Sequence, residues 1–477
     1  WTHCEQEPAH DLSHTTPDAE RTANTVSKLM EVGEYPRAAA AVWGGGPRAT
    51  ARQVERKLLD TQHLHVPENP APQCPPWSED FRNRLTDRLA KSFRRYPRRG
   101  AAGPGGARYE HWDCVGRDQT VARAVSRTLL RALTGEVPDA VQRALLTARL
   151  AGIAKPSGGT RVLGCGGIIR RLVGRALVQE ALPVIRAAVG DSQFGLQQDG
   201  TGRLHRLLTA LAATSPDVVV ASVDITDAFS SLFRSSVISA VEAAAPDLLP
   251  AVQAWCGRAS QHLISDPESG ETRWVVQQAG LDQGCPLSPA LYALTVAPAL
   301  EKVKTAMRAA SRDATVVAFL DDTYLVGTPA AVVAGMTNFR TVMAELGLKI
   351  NDSKTKVWTP NPTLELPQSL QAKRVSSLPC VGAVVPYARP ERLDAEADWR
   401  DVPVEVDLHG NSSSLQAFAE RQQTYFARLL TLHRAGLSAT YTLALLRTWS
   451  QGAPVHLLRA LPTRQEHLQA LDSAVAD

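Results

Sequence analysis

The chain has 477 residues, of which 44% are hydrophobic and 21% charged, and its formal net charge is +4. This composition is typical of a globular protein and excludes the disordered and collagen-like classes, and no stretch approaches the roughly 20 apolar residues of a membrane span. At about 150 residues per domain, the length predicts about three structural units.

The first residue is Trp1, and no signal-peptide pattern follows it. We therefore interpret the chain as a piece of a longer product and expect flanking domains, such as an endonuclease, to be missing. The 7 cysteines are scattered, without a Cys-x-x-Cys pair. An odd number of free thiols indicates a reducing, intracellular compartment, either the nucleus or the cytoplasm.

Residues 1–80 are predicted to form a polar N-terminal extension with one helical stretch around 22–42. The extension ends in a linker whose prolines exclude helix and central strand. The next segment, 81–217, is expected to begin with a helix over 79–95. A glycine-rich turn at 99–106 and an amphipathic helix pair over 118–150 follow it.

Positive charge is concentrated between residues 82 and 99, where only Asp87 opposes eight basic side chains. Such a run suits a nucleic-acid phosphate backbone, and a solvated helix face is the alternative. The predicted template contacts are Arg94, Arg95, Arg98 and Arg99 of this run together with Arg170 and Arg171.

Strand and helix patterns alternate over 218–385. Residues 218–223 are a short β-branched run, which predicts a buried strand. The strand-like runs 315–320 and 323–326 are separated only by Asp321 and Asp322, which predicts a hairpin tip. A helix over 330–346 should end at Gly347, residues 360–413 are irregular, and residues 414–450 are again helical.

Three acidic residues stand at predicted strand ends. Asp224 closes the buried strand, and Asp321 and Asp322 are adjacent at the hairpin tip. Taken alone, the Asp pair is as typical of an ordinary turn. Two adjacent carboxylates repel each other without a cation, and Mg²⁺ prefers carboxylate oxygens together with substrate phosphates. Two such ions about 3.5–4 Å apart can activate a hydroxyl nucleophile and stabilise a leaving pyrophosphate.

Several further segments resemble known motifs, in order. Residues 280–289 read Gly-Leu-Asp-Gln-Gly-Cys-Pro-Leu-Ser-Pro, and residues 319–322 read Phe-Leu-Asp-Asp. With 99–111, 154–161, 168–177, 193–195, 223–232, 347–355 and 378–383, they make the chain resemble the reverse transcriptases of non-LTR (LINE-like) retrotransposons. The resemblance runs from about Arg94 to about Leu461, and an ordered set of motifs is far more specific than any single one.

The resemblance implies an α+β fold of the right-hand polymerase type, with fingers, a palm built on an antiparallel sheet, and a helical thumb. The expected boundaries are fingers at 81–217, palm at 218–385, and thumb with C-terminal helices at 386–477. It also implies an RNA-directed DNA polymerase that copies an RNA template from a DNA primer with dNTPs. Two Mg²⁺ ions, which Mn²⁺ could replace, are the expected cofactors.

The resemblance also assigns roles around the nucleotide. Lys155 and Arg161 are expected to neutralise the incoming triphosphate. Phe229 is expected to lie under the sugar and exclude a 2′-hydroxyl, and ordinary core packing is the alternative. Gln283 should approach the nucleotide because Gly284 has no side chain. Lys354 is placed to protonate the leaving pyrophosphate.

The expected metal ligands are the side chains of Asp224, Asp321 and Asp322 with the main-chain carbonyl of Ile225. The sequence departs from the family pattern at Val162, where proline is usual, at Gly105, where aspartate is frequent, and at the acidic Asp282. Two other functions stay open: a decayed element that only binds nucleic acid, and an RNA-dependent RNA polymerase. The intact acids argue against the first, and Phe229 argues against the second.

Overall fold

The computed structural model describes residues 17–31, 35–43, 49–62, 76–94, 101–134, 136–155, 159–265, 272–381, 383–385 and 408–452. The chain divides into two compact units, one formed by Trp1–Gly46 with Leu408–Asp477 and the other by Pro47–Asp407. The predicted extension, 1–80, is thus shared between the two units.

The helices are α1 Pro17–Glu31, α2 Tyr35–Val42, α3 Ala51–Gln62, α4 Glu79–Ser92, α5 Gln119–Leu133, α6 Asp139–Leu146, α7 Ile168–Val189, α8 Gly200–Ala212, α9 Ala228–Ser231, α10 Arg234–Ala244, α11 Leu249–Cys256, α12 Ser288–Ala310, α13 Pro329–Ala344, α14 Gln368–Gln371, α15 Leu408–Arg434 and α16 Ala439–Gly452. Short 3₁₀ helices occur at Tyr109–Trp112, Val115–Arg117 and Pro246–Leu248. The strands are β1 Ala148–Ala154, β2 Thr160–Gly166, β3 Val219–Val223, β4 Ile225–Thr226, β5 Ser260–Ser265, β6 Thr272–Gln277, β7 Thr315–Phe319, β8 Asp322–Gly327, β9 Lys349–Ile350, β10 Lys356–Trp358, β11 Pro379–Cys380 and β12 Ala383–Val384.

Side-chain caps fix the starts of the helices around 79–133. The Ser78 side chain accepts a hydrogen bond from Phe81 N at 3.2 Å and begins α4. Asp118 accepts from Thr120 N at 2.7 Å and begins α5. Such caps satisfy amides that have no partner within the helix. The predicted helix pair over 118–150 is wrong at its end, because residues 148–150 start β1, where Ala148 and Leu150 are buried.

A sheet that begins in the predicted fingers, here called the fingers sheet, has the strand order β2-β1-β5-β6. Its strands β5 and β6 lie within the predicted palm, 218–385. Strands β1 and β2 form an antiparallel hairpin, whereas β1 pairs with β5 in parallel. Helix α3 covers this sheet, because its Val54 and Leu58 pack against Leu150, Ile264 and Val275. No separate helix is predicted from the sequence here, and α3 lies inside the predicted extension.

The sheet of the predicted palm, here called the palm sheet, has the order β10-β3-β8-β7 with antiparallel pairs throughout. Strand β3 is apolar along its length because its two faces enter different cores. Val219 and Ala221 belong to the large core that contains α7 and α12, and Val218 and Val220 to a smaller core with Leu204. The predicted strands at 218–223, 315–320 and 323–326 and the helix at 330–346 are present, with shifts of one or two residues at their ends.

The unit formed by Trp1–Gly46 with Leu408–Asp477 is helical in its described residues. Residues of α1 and α2 share one buried cluster with α15 and α16, including Val26, Leu429 and Leu445. The rings of Trp43 and Tyr425 lie 5.5 Å apart between centroids. The predicted C-terminal helices therefore complete their core with N-terminal residues. Within the described residues, no helix combines the length and apolarity needed to cross a bilayer.

Candidate active site

Three carboxylates meet at one end of the palm sheet. Val223, the last residue of β3, pairs with Thr323 of β8, and Phe319 of β7 pairs with Asp322. This register puts Asp224, directly after β3, beside the hairpin tip that carries Asp321 and Asp322. The structure thus brings together the three acids that the sequence singles out.

The hairpin tip is held in a conformation that is costly for a residue other than glycine. Leu320 has a φ of 57°, in the left-handed region where a side chain is strained. The buried side chain of Gln193 stabilises it, because its Oε1 accepts from Leu320 N at 2.7 Å and from Gly195 N at 3.0 Å. A Cβ on Gly195 would lie 2.7 Å from Leu320 Cγ. Residues 193–195 therefore position the two acids, a role that the sequence alone did not indicate.

Burial and neighbouring charges raise the pKa values of Asp321 and Asp322. Burial raises the pKa of Asp321, and the charge of Asp224 adds to this, while Arg161 acts in the opposite direction. Burial and the charges of Asp321 and Asp224 raise the pKa of Asp322 to about 6. The site therefore holds uncompensated negative charge, which a bound cation would relieve.

The donor set fits a hard cation that also uses ligands from its substrate. Carboxylate oxygens suit Mg²⁺, and so does a main-chain carbonyl, the only ligand that the buried Ile225 could offer. Among the described residues, no three acidic, His or Cys side chains converge closely enough to hold a metal ion by themselves. Substrate phosphates and water would then have to complete the coordination, as is usual for Mg²⁺.

Asp322→Asn is expected to raise the melting temperature in a chelator at neutral pH. A carboxyl whose pKa rises on folding favours the fold when it is protonated, and this stability is lost as the pH rises through its folded-state pKa of about 6. The difference between variant and parent should be positive near pH ~7.5 and vanish towards pH ~4, where both chains are neutral at this position. Thermal melts at both pH values test this, with Asp313→Asn at the exposed start of β7 as control; an equal difference at both would contradict it.

Three of the predicted nucleotide contacts line one cleft beside the acids. Lys155, Arg161 and Gln283 line it together, with about 280 Å³ of space that includes open solvent. Two residues that the sequence did not single out line it as well: Lys57 of α3 and Asp227, which form an ion pair across it. No local pattern predicts Lys57, since its place depends on α3 packing on the fingers sheet.

Phe229 is half-buried and stacks on a residue of α12. Its ring centroid lies 4.8 Å from that of Tyr292, with 27° between the ring planes. Its neighbour Ser230 lines the cleft, and Phe229 does not. The main-chain oxygen of Phe229 accepts from Leu281 N at 2.7 Å. Its role as a sugar gate therefore stays a prediction, beside the core-packing alternative.

The absence of a side chain at Gly284 is required by the fold itself, and its role beside a nucleotide stays a prediction. It has a φ of 107°, and a Cβ there would lie 2.9 Å from the carbonyl oxygen of Gly164 in β2. Gly164 N also donates to Gln283 O at 2.7 Å. The glycine thus allows the loop to approach the fingers sheet. Lys354 is exposed in the turn after β9, and Asn351 N in the same turn donates to Asp224 O at 2.8 Å.

The basic run is largely occupied by contacts within the protein. Arg84 and Arg88 both pair with Glu180 at 2.7 Å. Arg94 donates to the main-chain oxygens of Gly116 and Arg117. These side chains keep exposed surface beside these contacts, so their contact with a template stays a prediction. Arg95, Arg98 and Arg99 lie outside the described residues.

The predicted template contact at Arg170 is wrong. Arg170 is 7% exposed, and its Nη1 lies 2.8 Å from Asp282 Oδ2, so it cannot reach a phosphate at the surface. Arg171 is half-buried and donates to Ala101 O at 2.5 Å, with its guanidinium 5.1 Å from the centroid of the Tyr109 ring. Both arginines hold the structure around the start of α7.

Comparison with known proteins agrees with this arrangement. Residues 153–382 match the family model described as reverse transcriptase (RNA-dependent DNA polymerase), and this segment includes all three acids and the predicted nucleotide contacts. The predicted α+β right-hand polymerase fold is confirmed. No curated protein matches the chain.

Among solved structures, the chain is similar to telomerase from Candida albicans in complex with a TWJ fragment of telomeric RNA. The two are 13% identical with a TM-score of 0.40, and the match covers 71% of this chain. The matched part spans 63% of the length of the telomerase chain.

Proposed function

We propose that the chain is an RNA-directed DNA polymerase that extends a primer 3′-end with dNTPs on an RNA template, and that it comes from a non-LTR retrotransposon. The observation that carries the activity is the cluster of Asp224, Asp321 and Asp322, whose charges raise the pKa values of the last two. The order of the motifs supports the retrotransposon origin, and an origin of this kind places the protein in the nucleus or the cytoplasm.

In this proposal the three acids, with the carbonyl of Ile225, hold two Mg²⁺ ions, which Mn²⁺ could replace. When bound, the ions would activate the primer hydroxyl and stabilise the leaving pyrophosphate. Lys155, Arg161 and Lys57 would neutralise the triphosphate in the cleft. Gln283, which also lines the cleft, would contact the nucleotide. Lys354 would supply a proton to the pyrophosphate.

Primer extension on poly(rA)/oligo(dT) with the purified chain tests the proposal directly. Extension with dTTP and Mg²⁺, and none with UTP, is the expected result. A preference for UTP would mean an RNA-dependent RNA polymerase. Tight binding of template and primer without extension by either nucleotide would mean a decayed element that only binds nucleic acid.

Neutralising any one of the cleft cations, as Lys57→Gln, Lys155→Gln or Arg161→Gln, is expected to raise KM for dTTP. Each charge-assisted contact to a phosphate contributes about 1.5–3 kcal/mol, so KM should rise roughly 10-fold to 100-fold. Steady-state kinetics at saturating template and primer measure this. Lys302→Gln, an exposed cation on α12 outside the cleft, is the control; an unchanged KM for Lys57→Gln would remove Lys57 from the site.

Arg95, Arg98 and Arg99 remain our proposed template contacts. Changing all three to Gln should lower the salt slope of RNA binding by about 3, since each lost phosphate contact lowers it by about 1. The matched control changes Arg84 and Arg88, which already pair with Glu180. Binding titrations over a range of salt concentrations measure the slopes. Equal slopes for the parent and the triple variant would mean that these arginines do not contact the template.

A further inference from the structure

Asp282 and Gln283 are neighbours in the loop 280–289, but they face opposite sides of it. Gln283 lines the nucleotide cleft. Asp282 is 8% exposed and lines a small buried pocket with Arg170, Arg234 and Trp255. The loop therefore presents one side chain to the cleft and anchors the adjacent one in the protein interior.

Two elements outside the loop, α7 and strand β5 of the fingers sheet, contact the Asp282 carboxylate. Arg170 of α7 forms the 2.8 Å ion pair, with the two side chains 8% and 4% exposed. His262 of β5 lies with its Nε2 3.4 Å from Asp282 Oδ1. The Nδ1 atom of His262 accepts from Ala148 N at 3.1 Å, so a neutral His262 carries its proton on Nε2 and directs it towards Asp282.

Arg170 is itself held in place by neighbouring groups. Its Nη1 donates to Leu146 O at 2.8 Å, and its guanidinium lies 5.4 Å from the centroid of the Trp255 ring. Burial acts to raise the pKa of Asp282, but the charge of Arg170 and the interaction with the His262 side chain outweigh it and keep this pKa far below its usual range. Asp282 is therefore an ionised carboxylate fixed at a defined place.

The main chain on either side of Asp282 connects the nucleotide cleft with Phe229, the predicted sugar gate. Gln283 O accepts from Gly164 N at 2.7 Å, on the fingers side. Gly280 N donates to Leu232 O at 2.8 Å, and Leu281 N to Phe229 O, on the palm side. A Cβ on Gly164 would lie 3.1 Å from Asp282 Cβ, so the loop has little room to shift.

We propose that Asp282 is a positioning residue, whose ion pair with Arg170 fixes Gln283 and the main chain next to Phe229 at the nucleotide cleft. This inference rests on the proposed polymerase function. A buried ion pair is weak evidence for stability, because the cost of desolvation offsets the attraction between the charges. Its geometry in the structure instead indicates a role in holding the loop.

The test compares Asp282→Asn with the double variant Asp282→Asn/Arg170→Gln. The single change leaves a buried arginine without its partner and can destabilise the protein. The double change removes both charges and so keeps the protein folded while it abolishes the anchor. Glu180→Gln is the matched control, since it removes ion pairs to the same helix, α7, away from the loop.

Two readouts are measured on the whole chain: hydrogen exchange of the peptide covering 280–289, and KM against kcat for dTTP. We expect the double variant to exchange this peptide faster than the parent. Its KM should rise about tenfold, which corresponds to the loss of one contact to the nucleotide of ~1.4 kcal/mol, while kcat changes less. Glu180→Gln should leave both readouts at the parent values.

A double variant with parental exchange and parental KM would overturn the inference and leave the ion pair with a purely structural role. A parent chain that extends no primer would instead overturn the proposed function. In that case the exchange rates still decide whether Asp282 fixes the loop, because that readout does not depend on polymerisation.

Discussion

Asp321→Asn is expected to reduce primer extension at least about 100-fold, the size of effect that follows loss of one preorganised electrostatic contact at a reacting centre. Asparagine has nearly the same shape as aspartate but lacks the charge that would hold a cation. The change also relieves repulsion with Asp224 and Asp322, so the fold should not be destabilised.

Single-turnover extension measures this rate, and circular dichroism and RNA binding check the fold. Asp313→Asn is the control, since Asp313 is exposed just before β7, at the opposite end of that strand from the tip. Extension by Asp321→Asn within tenfold of the parent, with an unchanged fold, would rule out its assignment as a metal ligand.

Phe229→Ala should allow UTP to be incorporated with much less effect on dTTP. If the ring lies under the sugar, it excludes a 2′-hydroxyl by its volume. Relief of such a clash is worth several kcal/mol, and every ~1.4 kcal/mol is tenfold, so the ratio of UTP to dTTP use should rise at least tens-fold. Paired extension rates with the two nucleotides measure the ratio.

The alternative for Phe229 is suggested by its stacking on the buried Tyr292. A residue that only packs would cost about 3–5 kcal/mol of stability when truncated, and both activities would fall together. Phe233→Ala is the matched control, because Phe233 is half-buried four positions later and packs against Gly347. A lowered melting temperature with an unchanged nucleotide ratio would exclude the gate.

The sequence predicts those parts of the protein that are determined by residues close together along the chain. Strand β3 is rich in valine because both of its faces are buried, and the hairpin β7–β8 has its two acids at the tip. The local pattern of apolar and acidic residues therefore places Asp224, Asp321 and Asp322 at strand ends without knowledge of the pairing. Hydrophobic periodicity likewise predicts α13 and the C-terminal helices.

The parts that the sequence does not predict depend on contacts between distant segments. Lys57 meets Asp227 across 170 positions, and Arg170 meets Asp282 although each has ordinary neighbours in sequence. The sequence does not distinguish an arginine that faces solvent from one that pairs with a buried carboxylate. The ion pairs of the charge run at 82–94 are hidden from the sequence for the same reason, since their partners Glu180 and Glu136 lie outside the run.

The order of strands along the chain has a consequence for how the protein folds. The fingers sheet takes β1 and β2 before the palm sheet begins with β3, and then β5 and β6 after it. Neither sheet can therefore close as the chain leaves the ribosome until the other has been partly synthesised. Pairings between such distant segments slow folding, and until β5 emerges one edge of β1 stays unpaired and open to pairing with other chains. Fragments that end before Ser260 should therefore aggregate rather than fold as separate fingers.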